Sequence, residues 1–492
     1  MNDQTPRVRF APSPTGYLHL GGARTALFNY LLARKGGGRF VLRIEDTDRS
    51  RHVEEAIGKI CDDMRWLGIT WDEGPEVGGE HGPYRQSERV ECYQAAANAL
   101  LERGRAYYAF ETPEELEAMR DEARAAKRTF KYPRPDPLPT RQDADKARAE
   151  GRPVVVRFVM PDRDVVVTDR ILGDVTISRD ELEDFIILKS DGGPTYHLAN
   201  VVDDAEMAIT LVLRGQEHLM NTAKHLSLQE ALDCPHPEYA HLPLIFNMKG
   251  KKLSKRDGDV EVHAFRAAGF LPEVMVDFIA LLGWSPGEDR EKMTLDEMVE
   301  RFSLDGVGRS NAKFDPDKLA AFNTQAAAEL AATEAGAARL LAGMKDYLSC
   351  NDTPLSHADD ETLSLLLRAN QGFRTFADVE AKSRSLFVPD TEIAYDPKAV
   401  QKVLAKGDSA GYAMLIDLRP RLADQQDWSA EALQALLESI TAERAVGLGK
   451  VAQPLRVAVT GSSISPPIFE TLALLGRDRT LARIDRCLAS RP

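Results

Sequence analysis

The stretch "RFAPSPTGYLHLGGARTALFNYLLAR", residues 9–34, decides the fold class of this chain. Val8 and Phe10 alternate with arginines, which predicts a short strand, and the Gly21-Gly22 pair then opens a helix. The predicted helix carries apolar residues at i, i+4, i+7 and i+8, namely Ala23, Leu27, Tyr30 and Leu31. This spacing indicates a helix with one apolar face, placed directly after a strand.

A second strand and helix follow the first pair. "RFVLRIEDTD", residues 39–48, alternates Phe40, Leu42 and Ile44 as a strand, and an apolar stripe from Ile57 to Leu67 predicts a helix. Strands that alternate with helices in this way indicate a parallel sheet wound by helices. We therefore predict an α/β fold whose first part is a Rossmann-like, doubly wound parallel-sheet domain.

The pattern changes after about residue 100. Residues 113–150 are charged, and "RPVVVRFVM" and "VVVTDRILGDVTI" then have the alternation of hairpin strands, so we predict an α+β insertion. The doubly wound pattern resumes near "TYHLANVVDD", and Ala/Leu-rich helical periodicity fills the C-terminal third. The predicted segments are 1–100 and 196–245 for the two halves of the α/β domain, 101–195 for the insertion, 246–324 for a helical domain with a basic loop, and 325–492 for an all-helical C-terminal region.

Composition restricts the class of protein. The 492 residues carry a net charge of −14 and are 43% hydrophobic and 28% charged, as is typical of a multidomain globular protein. The five cysteines share no CxxC spacing, which indicates neither a zinc ribbon nor a disulfide framework and favours a reducing compartment. The sequence has no apolar export signal and no 18-residue apolar run, so we expect a cytoplasmic protein with no membrane span.

The first candidate site is His19-Leu20-Gly21-Gly22, between the first strand and helix. It fits neither GxxxxGK[ST] nor GxGxxG, the two common phosphate-binding signatures. A glycine pair nevertheless lets a ligand approach the backbone closely, and a helix start attracts anions. His19 could donate to a phosphate oxygen. The alternative is an ordinary strand-to-helix turn with a surface histidine.

The second candidate site is "KGKKLSKRDG", Lys249 to Gly258. It places five cations within eight residues, and lysines on a flexible loop suit a polyphosphate whose charge moves as bonds break. Alone, such a run is more often a solvated basic loop.

Taken together, the two segments resemble the HIGH and KMSKS signatures of class I aminoacyl-tRNA synthetases. Here they read His19-Leu20-Gly21-Gly22 and Lys252-Leu253-Ser254-Lys255-Arg256. Other segments match in order the family of bacterial glutamyl-tRNA synthetases, over residues 7 to about 323: "FVLRIEDTDR", "TYHLANVVDD", "LRGQEHLMNT", "AHLPLIF", "GFLPEVMVDFIALLGWS" and "FDPDKLAAFN". The helical remainder has the length and character of that family's anticodon-binding region.

The resemblance implies a glutamate site. Its residues would be Arg9, Ala11, Ser13, Glu45, Tyr196, Asn200 and Arg214. Arginine is the natural bidentate partner of a carboxylate, so Arg214 would hold the side-chain carboxylate, and Glu45 would take the ammonium group. Structural alternatives stay open: Glu45 could be a helix cap, Tyr196 a core residue, and Arg214 a structural partner of Glu217.

The resemblance also implies an ATP site. Its residues would be His19, Gly21, Glu217, Leu244, Ile245 and Lys255, with His19, Lys252 and Lys255 as the catalytic groups. Leu244 and Ile245 would read adenine through the backbone. The glutamate α-carboxylate would attack the α-phosphorus of ATP, giving glutamyl-adenylate and pyrophosphate, with Mg²⁺ on the polyphosphate.

The partner implied by the resemblance is tRNA(Glu), whose 3′-terminal adenosine would receive the glutamate. We expect a monomer. Two alternatives are a glutamate-activating enzyme that modifies a tRNA base and a non-catalytic tRNA-binding paralogue; the long helical C-terminus argues against the first, and the intact signature residues argue against the second. Glutaminyl-tRNA synthetases resemble the same N-terminal half but usually end in β-barrels, so the helical C-terminus also argues against a glutaminyl enzyme. Whether tRNA(Gln) is also charged is left open.

Many members of the family that this sequence resembles carry a zinc site of cysteines and histidines in the insertion. Here the corresponding place reads Tyr108-Ala109-Phe110-Glu111, which supplies no thiolate or imidazole, so we predict no structural zinc. Aromatic packing by Tyr107, Tyr108 and Phe110 would fill that space instead.

Two groups of cations could face RNA. The insertion carries Arg124, Lys127, Arg128, Lys131 and Arg134, and the last helix carries Arg479, Arg483 and Arg486 on one side. Each group could contact tRNA phosphates or bases, or could belong to a solvated helix face. For the last helix we favour the solvated alternative.

Overall fold

The computed structural model describes residues 5–47, 53–128, 130–254, 260–288 and 290–491. The chain divides into two compact units. The first comprises residues 1–263 and 275–315, and the second comprises residues 264–274 and 316–492. Each unit is described by itself below.

The strands lie in the first unit. They are β1 (Arg7–Phe10), β2 (Arg39–Leu42), β3 (Ala106–Ala109), β4 (Val155–Phe158), β5 (Val165–Asp169), β6 (Gly173–Ile177), β7 (Phe185–Leu188), β8 (Leu211–Gly215), β9 (Glu238–Leu242), β10 (Ile245–Asn247) and β11 (Ala312–Phe314).

The helices up to residue 315 are α1 (Leu20–Lys35), α2 (Val53–Trp66), α3 (Val90–Glu102), α4 (Pro113–Ala125), α5 (Arg141–Ala149), α6 (Tyr196–Glu206), α7 (Leu219–Leu232), α8 (Val262–Ala267), α9 (Pro272–Leu281) and α10 (Leu295–Arg301). The later helices are α11 (Pro316–Ala331), α12 (Glu334–Cys350), α13 (Asp360–Ala369), α14 (Phe376–Ser383), α15 (Pro397–Ala399), α16 (Lys406–Asp424), α17 (Ala430–Glu443), α18 (Leu448–Thr460), α19 (Ile468–Leu475) and α20 (Arg477–Ala489).

The predicted strand–helix–strand start is confirmed. β1 pairs with β2 in parallel, from Arg7 opposite Arg39 to Phe10 opposite Leu42, and α1 makes the crossover. The helix ends where two cations, Arg34 and Lys35, complement the negative end of its dipole. Its burial extends beyond the predicted apolar stripe, because polar side chains of this helix are buried as well as the leucines.

The central sheet continues from β1. Thr210, just before β8, donates its N–H to the Arg7 carbonyl oxygen at 2.9 Å, which places β8 beside β1. β8 pairs in parallel with β9, and the β5–β6 hairpin joins β9 at a single parallel pair, Asp169 opposite Tyr239. The strand order in this part is β6-β5-β9-β8, so the hairpin extends the sheet to which β8 belongs. β3, β4 and β7 form a separate antiparallel sheet.

One hydrophobic core packs α3, α6 and α7 against β4, β5 and β7. Its most buried members include Tyr93, Leu100, Phe158, Val167, Ile187, Leu198, Val201 and Leu228. This core fixes α6, whose first turn carries Tyr196 and whose second carries Asn200. Because these two residues are four apart, they lie on the same face of the helix.

The insertion shows ion pairs on three of its five candidate RNA-binding cations. Arg124 contacts Asp121 at 2.7 Å, and Lys131 contacts Asp180 at 3.3 Å. The third, Arg134, contacts Asp184 at 2.6 Å. These pairs favour the alternative of a charge-balanced surface over a free basic face.

Aromatic residues pack in the part of the insertion where a zinc site was considered. Tyr107 is buried against Tyr132, with ring centroids 6.5 Å apart, and donates its hydroxyl to Asp184 at 2.9 Å. Tyr108 and Phe110 pack instead beside a small alanine-rich cluster. Within the described ranges, no group of three or more His, Cys, Asp or Glu side chains could hold a metal ion. The absence of structural zinc stays a prediction, and the aromatic packing in this space supports it.

The second unit is helical in the part described, as predicted. Its main core joins α15 to α20, with fully buried residues such as Leu404, Leu415, Leu437, Leu455, Leu472 and Ile484. Gly407, Asp408 and Ser409 have left-handed φ angles, so regular helical geometry in α16 begins only after them. Among the described residues of the whole chain, none of the helices has the length and apolar content that a bilayer span requires.

The prediction for the last helix is wrong for Arg483. Its side chain is fully buried and donates to the Asp390 carboxylate at 2.6 Å and to the Val459 carbonyl oxygen at 2.7 Å. Arg479 contacts the same carboxylate at 3.0 Å, and Arg486 donates to the Asp390 carbonyl oxygen at 2.6 Å. The cationic face of this helix packs against backbone carbonyl oxygens and the Asp390 carboxylate. The three arginines therefore bind the segment before α15 instead of facing solvent.

Candidate active site

A cavity of about 640 Å³ opens in the first unit, where β1 and β8 end. The carboxyl ends of parallel strands are the usual place for a ligand in an α/β sheet. The predicted site residues that line it are Arg9, Ala11, Ser13, His19, Gly21, Glu45, Tyr196, Asn200, Arg214, Glu217, Leu244, Ile245 and Lys252. Lys255, the remaining predicted site residue, lies outside the described residues.

The floor of the cavity is the start of α1. His19 is the N-cap residue, and its Nδ1 accepts a hydrogen bond from the Gly21 N–H at 3.2 Å. A neutral imidazole whose Nδ1 accepts carries its proton on Nε2, so the ring can donate from that atom. A Cβ at Gly22 would lie 3.2 Å from Leu18 and 3.5 Å from Phe10, so a side chain there would need the end of the Leu18 side chain to shift slightly.

The chain that follows the KLSKR segment pairs with this floor. The Leu20 N–H donates to the Val260 carbonyl oxygen, and the Val262 N–H donates to the Leu18 carbonyl oxygen, both at 2.8 Å. At the start of the segment, the Leu253 N–H donates to the Ile245 carbonyl oxygen at 2.8 Å. Backbone hydrogen bonds thus hold the described chain on both sides of residues 255–259 at the cavity.

Glu45 reaches the cavity from the chain after β2. Its N–H donates to the Pro12 carbonyl oxygen at 3.0 Å, which holds it beside the loop of Ala11 and Ser13. Its Oε1 accepts from Asn200 Nδ2 at 2.8 Å. Burial raises the pKa of Glu45, and the charges of nearby arginines only partly oppose this shift. The alternative that Glu45 is a helix cap is therefore not supported, because its carboxylate accepts from the Asn200 side chain, 155 residues away.

Arg9 is already ion-paired on one edge. Its Nε and NH2 groups contact Asp204 at 3.1 and 3.4 Å, and Arg43 contacts the same carboxylate at 2.7 Å. Arg43 also lies 3.7 Å from Glu45 Oε1. A buried network therefore fixes Arg9 and Glu45 relative to each other. Because Nε and NH2 of Arg9 contact Asp204, NH1 is the one guanidinium nitrogen of this residue that has no protein partner in the described part of the chain.

Arg214, at the end of β8, is 5% exposed and has only uncharged partners among the described residues. Its Nε lies 3.3 Å from His241 Nε2, and its NH1 donates to the Tyr196 hydroxyl at 3.2 Å. Its NH2 donates to Thr222 Oγ1 at 2.6 Å. The alternative that Arg214 pairs with Glu217 is therefore wrong; Glu217 lies 3.8 Å from Lys252 instead. A buried guanidinium without a counter-ion is a strong site for an anionic ligand.

The histidines around Arg214 are neutral. Burial lowers the pKa of His218 to about 4 and that of His197 to about 3, and nearby cations, Arg214 among them, add to the shift. Burial and Arg214 also lower the pKa of His225 well below its usual value. Since none of these rings is charged near neutral pH, Arg214 is the group that gives this wall its positive charge.

The adenine prediction at Leu244 meets existing hydrogen bonds. The Leu244 N–H donates to Asn311 Oδ1 at 3.1 Å, and its carbonyl oxygen accepts from the Ala312 N–H at 3.0 Å. A carbonyl oxygen can accept a second bond, whereas a nucleotide would have to displace Asn311 to use the N–H.

Sequence reasoning missed several residues elsewhere in the cavity lining. Arg24 lines the cavity and donates to the Leu282 carbonyl oxygen at 3.0 Å and to that of Pro243. Burial lowers its pKa to about 10. A charge inside the otherwise apolar first turns of α1 is the signal that could have found it. His218 and Asn221 also line the cavity, and no periodicity distinguished them.

Family models match most of the chain. Residues 6–321 match the model described as "tRNA synthetases class I (E and Q), catalytic domain", and residues 339–488 match "Anticodon binding domain". The first match covers more than half of the sequence and includes every residue of the cavity. The chain is therefore a class I tRNA synthetase, and its parallel-sheet fold agrees with this class.

Curated relatives and solved structures agree with this class. Glutamate–tRNA ligases of Anaeromyxobacter sp. strain K and of Thermus thermophilus are each 42% identical, over 98% of this chain and 98% and 99% of theirs. A solved glutamate tRNA ligase of Elizabethkingia meningosepticum, in complex with its amino acid, aligns with a TM-score of 0.78 and 35% identity, over 99% of this chain and 100% of that one. The chain belongs to the glutamate–tRNA ligase family.

Proposed function

We propose that this chain activates L-glutamate with ATP, giving glutamyl-adenylate and pyrophosphate, and then transfers glutamate to the 3′-terminal adenosine of tRNA(Glu). The observation that carries the proposal is Arg214, a buried guanidinium in the cavity whose described partners are all uncharged. The side-chain carboxylate of glutamate would supply the missing counter-ion.

The amino-acid end of the cavity fits the rest of glutamate. Glu45 and the Asn200 side chain present acceptors to an ammonium group, since Asn200 Oδ1 is buried and has no hydrogen-bond partner among the described residues. Arg9 is held on one edge by Asp204, so its remaining nitrogen can contact the substrate. The Tyr196 hydroxyl, already bonded to Arg214, closes the wall beside the side-chain carboxylate.

The ATP end would use the start of α1 and the KLSKR segment. His19 can donate from Nε2, and the positive end of the helix dipole favours phosphate at Gly21. Lys252 lies near Glu217, which we assign to the ribose, and Lys255 would complete the phosphate site from outside the described residues. Adenine would stack against the strand end at Leu244 and Ile245.

The reaction needs no protein nucleophile. The glutamate α-carboxylate attacks the α-phosphorus, the bond to the bridging oxygen breaks, and pyrophosphate leaves, so catalysis consists of positioning and charge stabilisation. We expect Mg²⁺ to arrive with the polyphosphate, because the cavity's two carboxylates are engaged, Glu45 with Asn200 and Glu217 near Lys252. The tRNA 3′-terminal hydroxyl then attacks the mixed anhydride and releases AMP.

The C-terminal unit would read the anticodon, in keeping with the model matched by residues 339–488. Readout of splayed RNA bases uses stacking and contacts to base edges. Arg483 is excluded from this role by its complete burial. We expect the enzyme to act as a cytoplasmic monomer.

The experiment that tests the proposal is aminoacylation with labelled L-glutamate on intact and periodate-oxidised tRNA. Oxidation destroys the terminal ribose diol, so an enzyme that forms the 3′ ester should label intact tRNA only. Label on oxidised tRNA would instead support the alternative of a base-modifying enzyme. Absence of label on both, with tRNA binding retained, would support the non-catalytic paralogue.

A further inference from the structure

Arg214 is supported from behind by a buried pair that does not line the cavity. His241 Nδ1 lies 2.6 Å from Asp169 Oδ2, and both side chains have no exposed surface. On the other side of the ring, His241 Nε2 lies 3.3 Å from Arg214 Nε and 3.0 Å from Thr222 Oγ1. The chain Asp169–His241–Arg214 thus runs from the β5–β6 hairpin to the end of β8.

The hydrogen bonds on Asp169 determine which nitrogen of His241 carries the proton. Asp169 Oδ1 accepts backbone N–H groups from Ile171 at 2.9 Å, Leu172 at 2.8 Å and His241 at 3.3 Å. Its Oδ2 faces His241 Nδ1, and an ionised carboxylate can only accept. The proton therefore lies on Nδ1, and Nε2 offers a lone pair to the Arg214 Nε–H.

The pKa shifts of Asp169 and His241 favour an ionised carboxylate beside a neutral imidazole. Burial works against the ionisation of Asp169, but the His241 hydrogen bond and the backbone N–H groups outweigh it and lower its pKa. Burial lowers the pKa of His241 despite the bond to Asp169. The pair is thus a carboxylate with a neutral imidazole.

We propose that Asp169 and His241 are positioning residues that aim Arg214 at the side-chain carboxylate of the substrate and so set selectivity for a carboxylate over a carboxamide. The inference rests on the proposed glutamate site. With Nε fixed by His241 and one NH2 hydrogen fixed by Thr222, the guanidinium cannot rotate to offer its other edge. Its other N–H groups face the Tyr196 hydroxyl, His225 Nδ1 at 3.5 Å and the His218 carbonyl oxygen at 3.3 Å, and a substrate carboxylate would take over the two long contacts to the histidines. All of these guanidinium groups are donors, which suit a carboxylate and oppose the NH₂ group of a carboxamide.

Asp169→Asn tests the proposal with little change in volume. The asparagine oxygen keeps the backbone N–H bonds, so its NH₂ faces Nδ1 and drives His241 to the other tautomer, as with other carboxylate–histidine pairs. Nε2–H then faces Arg214 Nε–H, two donors. We expect the KM for glutamate to rise about tenfold, the loss of one charge-assisted hydrogen bond, with the KM for ATP unchanged.

His241→Phe and His241→Gln form the second pair of variants. Phenylalanine removes the acceptor at similar volume, whereas the glutamine amide oxygen can take the place of Nε2. The KM for glutamate should rise in His241→Phe and be largely restored in His241→Gln. Inhibition by L-glutamine, measured as Ki, should change less than the KM for glutamate in Asp169→Asn and in His241→Phe. Asp164→Asn, at an exposed carboxylate just before the same strand, is the matched control.

Three results would overturn the proposal. One is an equal change in the KM for glutamate, the Ki of glutamine and the KM for ATP, which a purely structural role predicts. The second requires no variant: ¹⁵N spectra of labelled wild-type protein that place the His241 proton on Nε2. The third is normal KM values in folded Asp169→Asn and His241→Phe, which would contradict this inference alone, whereas wild-type protein that charges no glutamate at all would instead contradict the proposed function.

Discussion

Asn200 donates from Nδ2 to Glu45 Oε1 at 2.8 Å, across 155 residues of sequence. The bond leaves Asn200 Oδ1 buried with no partner in the described part of the chain, next to a carboxylate that burial makes harder to ionise. Two acceptors held together in this way are unfavourable on their own and become favourable when a cation enters.

Glu45→Gln should therefore separate stability from function. The raised pKa means that the folded state binds the Glu45 proton more tightly than the unfolded state, so stability falls as pH rises through the folded pKa. We expect Glu45→Gln to melt at a higher temperature than wild type at neutral pH, with the difference vanishing in acid. The KM for glutamate should rise at least tenfold, because the ammonium loses a charged partner. A lower melting temperature at neutral pH together with an unchanged KM would contradict both parts.

Arg214→Lys should fail to replace arginine. A lysine keeps the charge but cannot donate to His241, Tyr196 and Thr222 while offering a fork to a carboxylate. Losing a hydrogen bond to a charged group costs about 1.5–3 kcal/mol, so kcat/KM for glutamate should fall by about tenfold or more. The KM for ATP serves as the internal control. Wild-type kcat/KM in this variant would show that charge alone suffices.

Glu217→Gln should affect ATP and spare glutamate. Glu217 lies 3.8 Å from Lys252, and both side chains are about half exposed, so the ion pair itself contributes little stability. If Glu217 contacts the ribose, the KM for ATP should rise by about tenfold with the loss of a hydrogen bond to a charged group. Glu230→Gln, which breaks a surface pair with Arg163, is the matched control. An unchanged KM for ATP would remove Glu217 from the ATP site.

Asp390→Asn should destabilise the C-terminal unit. Burial opposes ionisation of Asp390, but hydrogen bonds from Arg479 and Arg483 outweigh it and lower its pKa. The stabilisation is therefore present above the unfolded-state pKa and is lost as pH falls through the folded-state pKa. We expect a loss of about 2 kcal/mol at neutral pH, because Arg483 keeps a buried charge with a weakened partner. Asp360→Asn, which breaks an exposed pair with Lys345, should change far less. Equal effects in the two variants would contradict the structural role of Asp390.

The purified protein should hold no tightly bound zinc. In the insertion, Asp184 is engaged by Arg134 and Tyr107, and Glu111 accepts from Tyr132 at 2.8 Å, so these carboxylates already have protein partners. Elemental analysis should find far less than one zinc per chain, and a chelator should leave the melting temperature unchanged. Stoichiometric zinc that survives dialysis would contradict the prediction.

Periodicity predicted the first strand–helix–strand unit because the signal is local. Each of β1, α1 and β2 carries its own apolar pattern, and a helix between two strands implies a parallel pair. The attachment of the β5–β6 hairpin to β9 could not be predicted in this way. It depends on one parallel pair, Asp169 with Tyr239, and strand alternation carries no information about which strand lies alongside.

The family resemblance predicted which residues line the cavity, but only the structure showed which residues hold them in place. Arg9 with Asp204 and His241 with Asp169 join positions 195 and 72 residues apart, and nothing near either member identifies its partner. The prediction that Arg483 is solvated was wrong because a local sequence pattern does not show which surface a helix packs against. The helix of Arg483 is amphipathic in sequence, but the surface it meets is made of carbonyl oxygens and Asp390, so the cationic side is buried.

The most direct test of the account is aminoacylation with purified tRNA(Glu) and tRNA(Gln), each with labelled L-glutamate and L-glutamine. The geometry at Arg214 and Glu45 predicts that glutamate is esterified to tRNA(Glu) and that glutamine is esterified to neither tRNA. Label from glutamate on tRNA(Gln) would add a second tRNA substrate without changing the amino-acid site. Efficient charging with glutamine, or no charging with glutamate, would contradict the central claim.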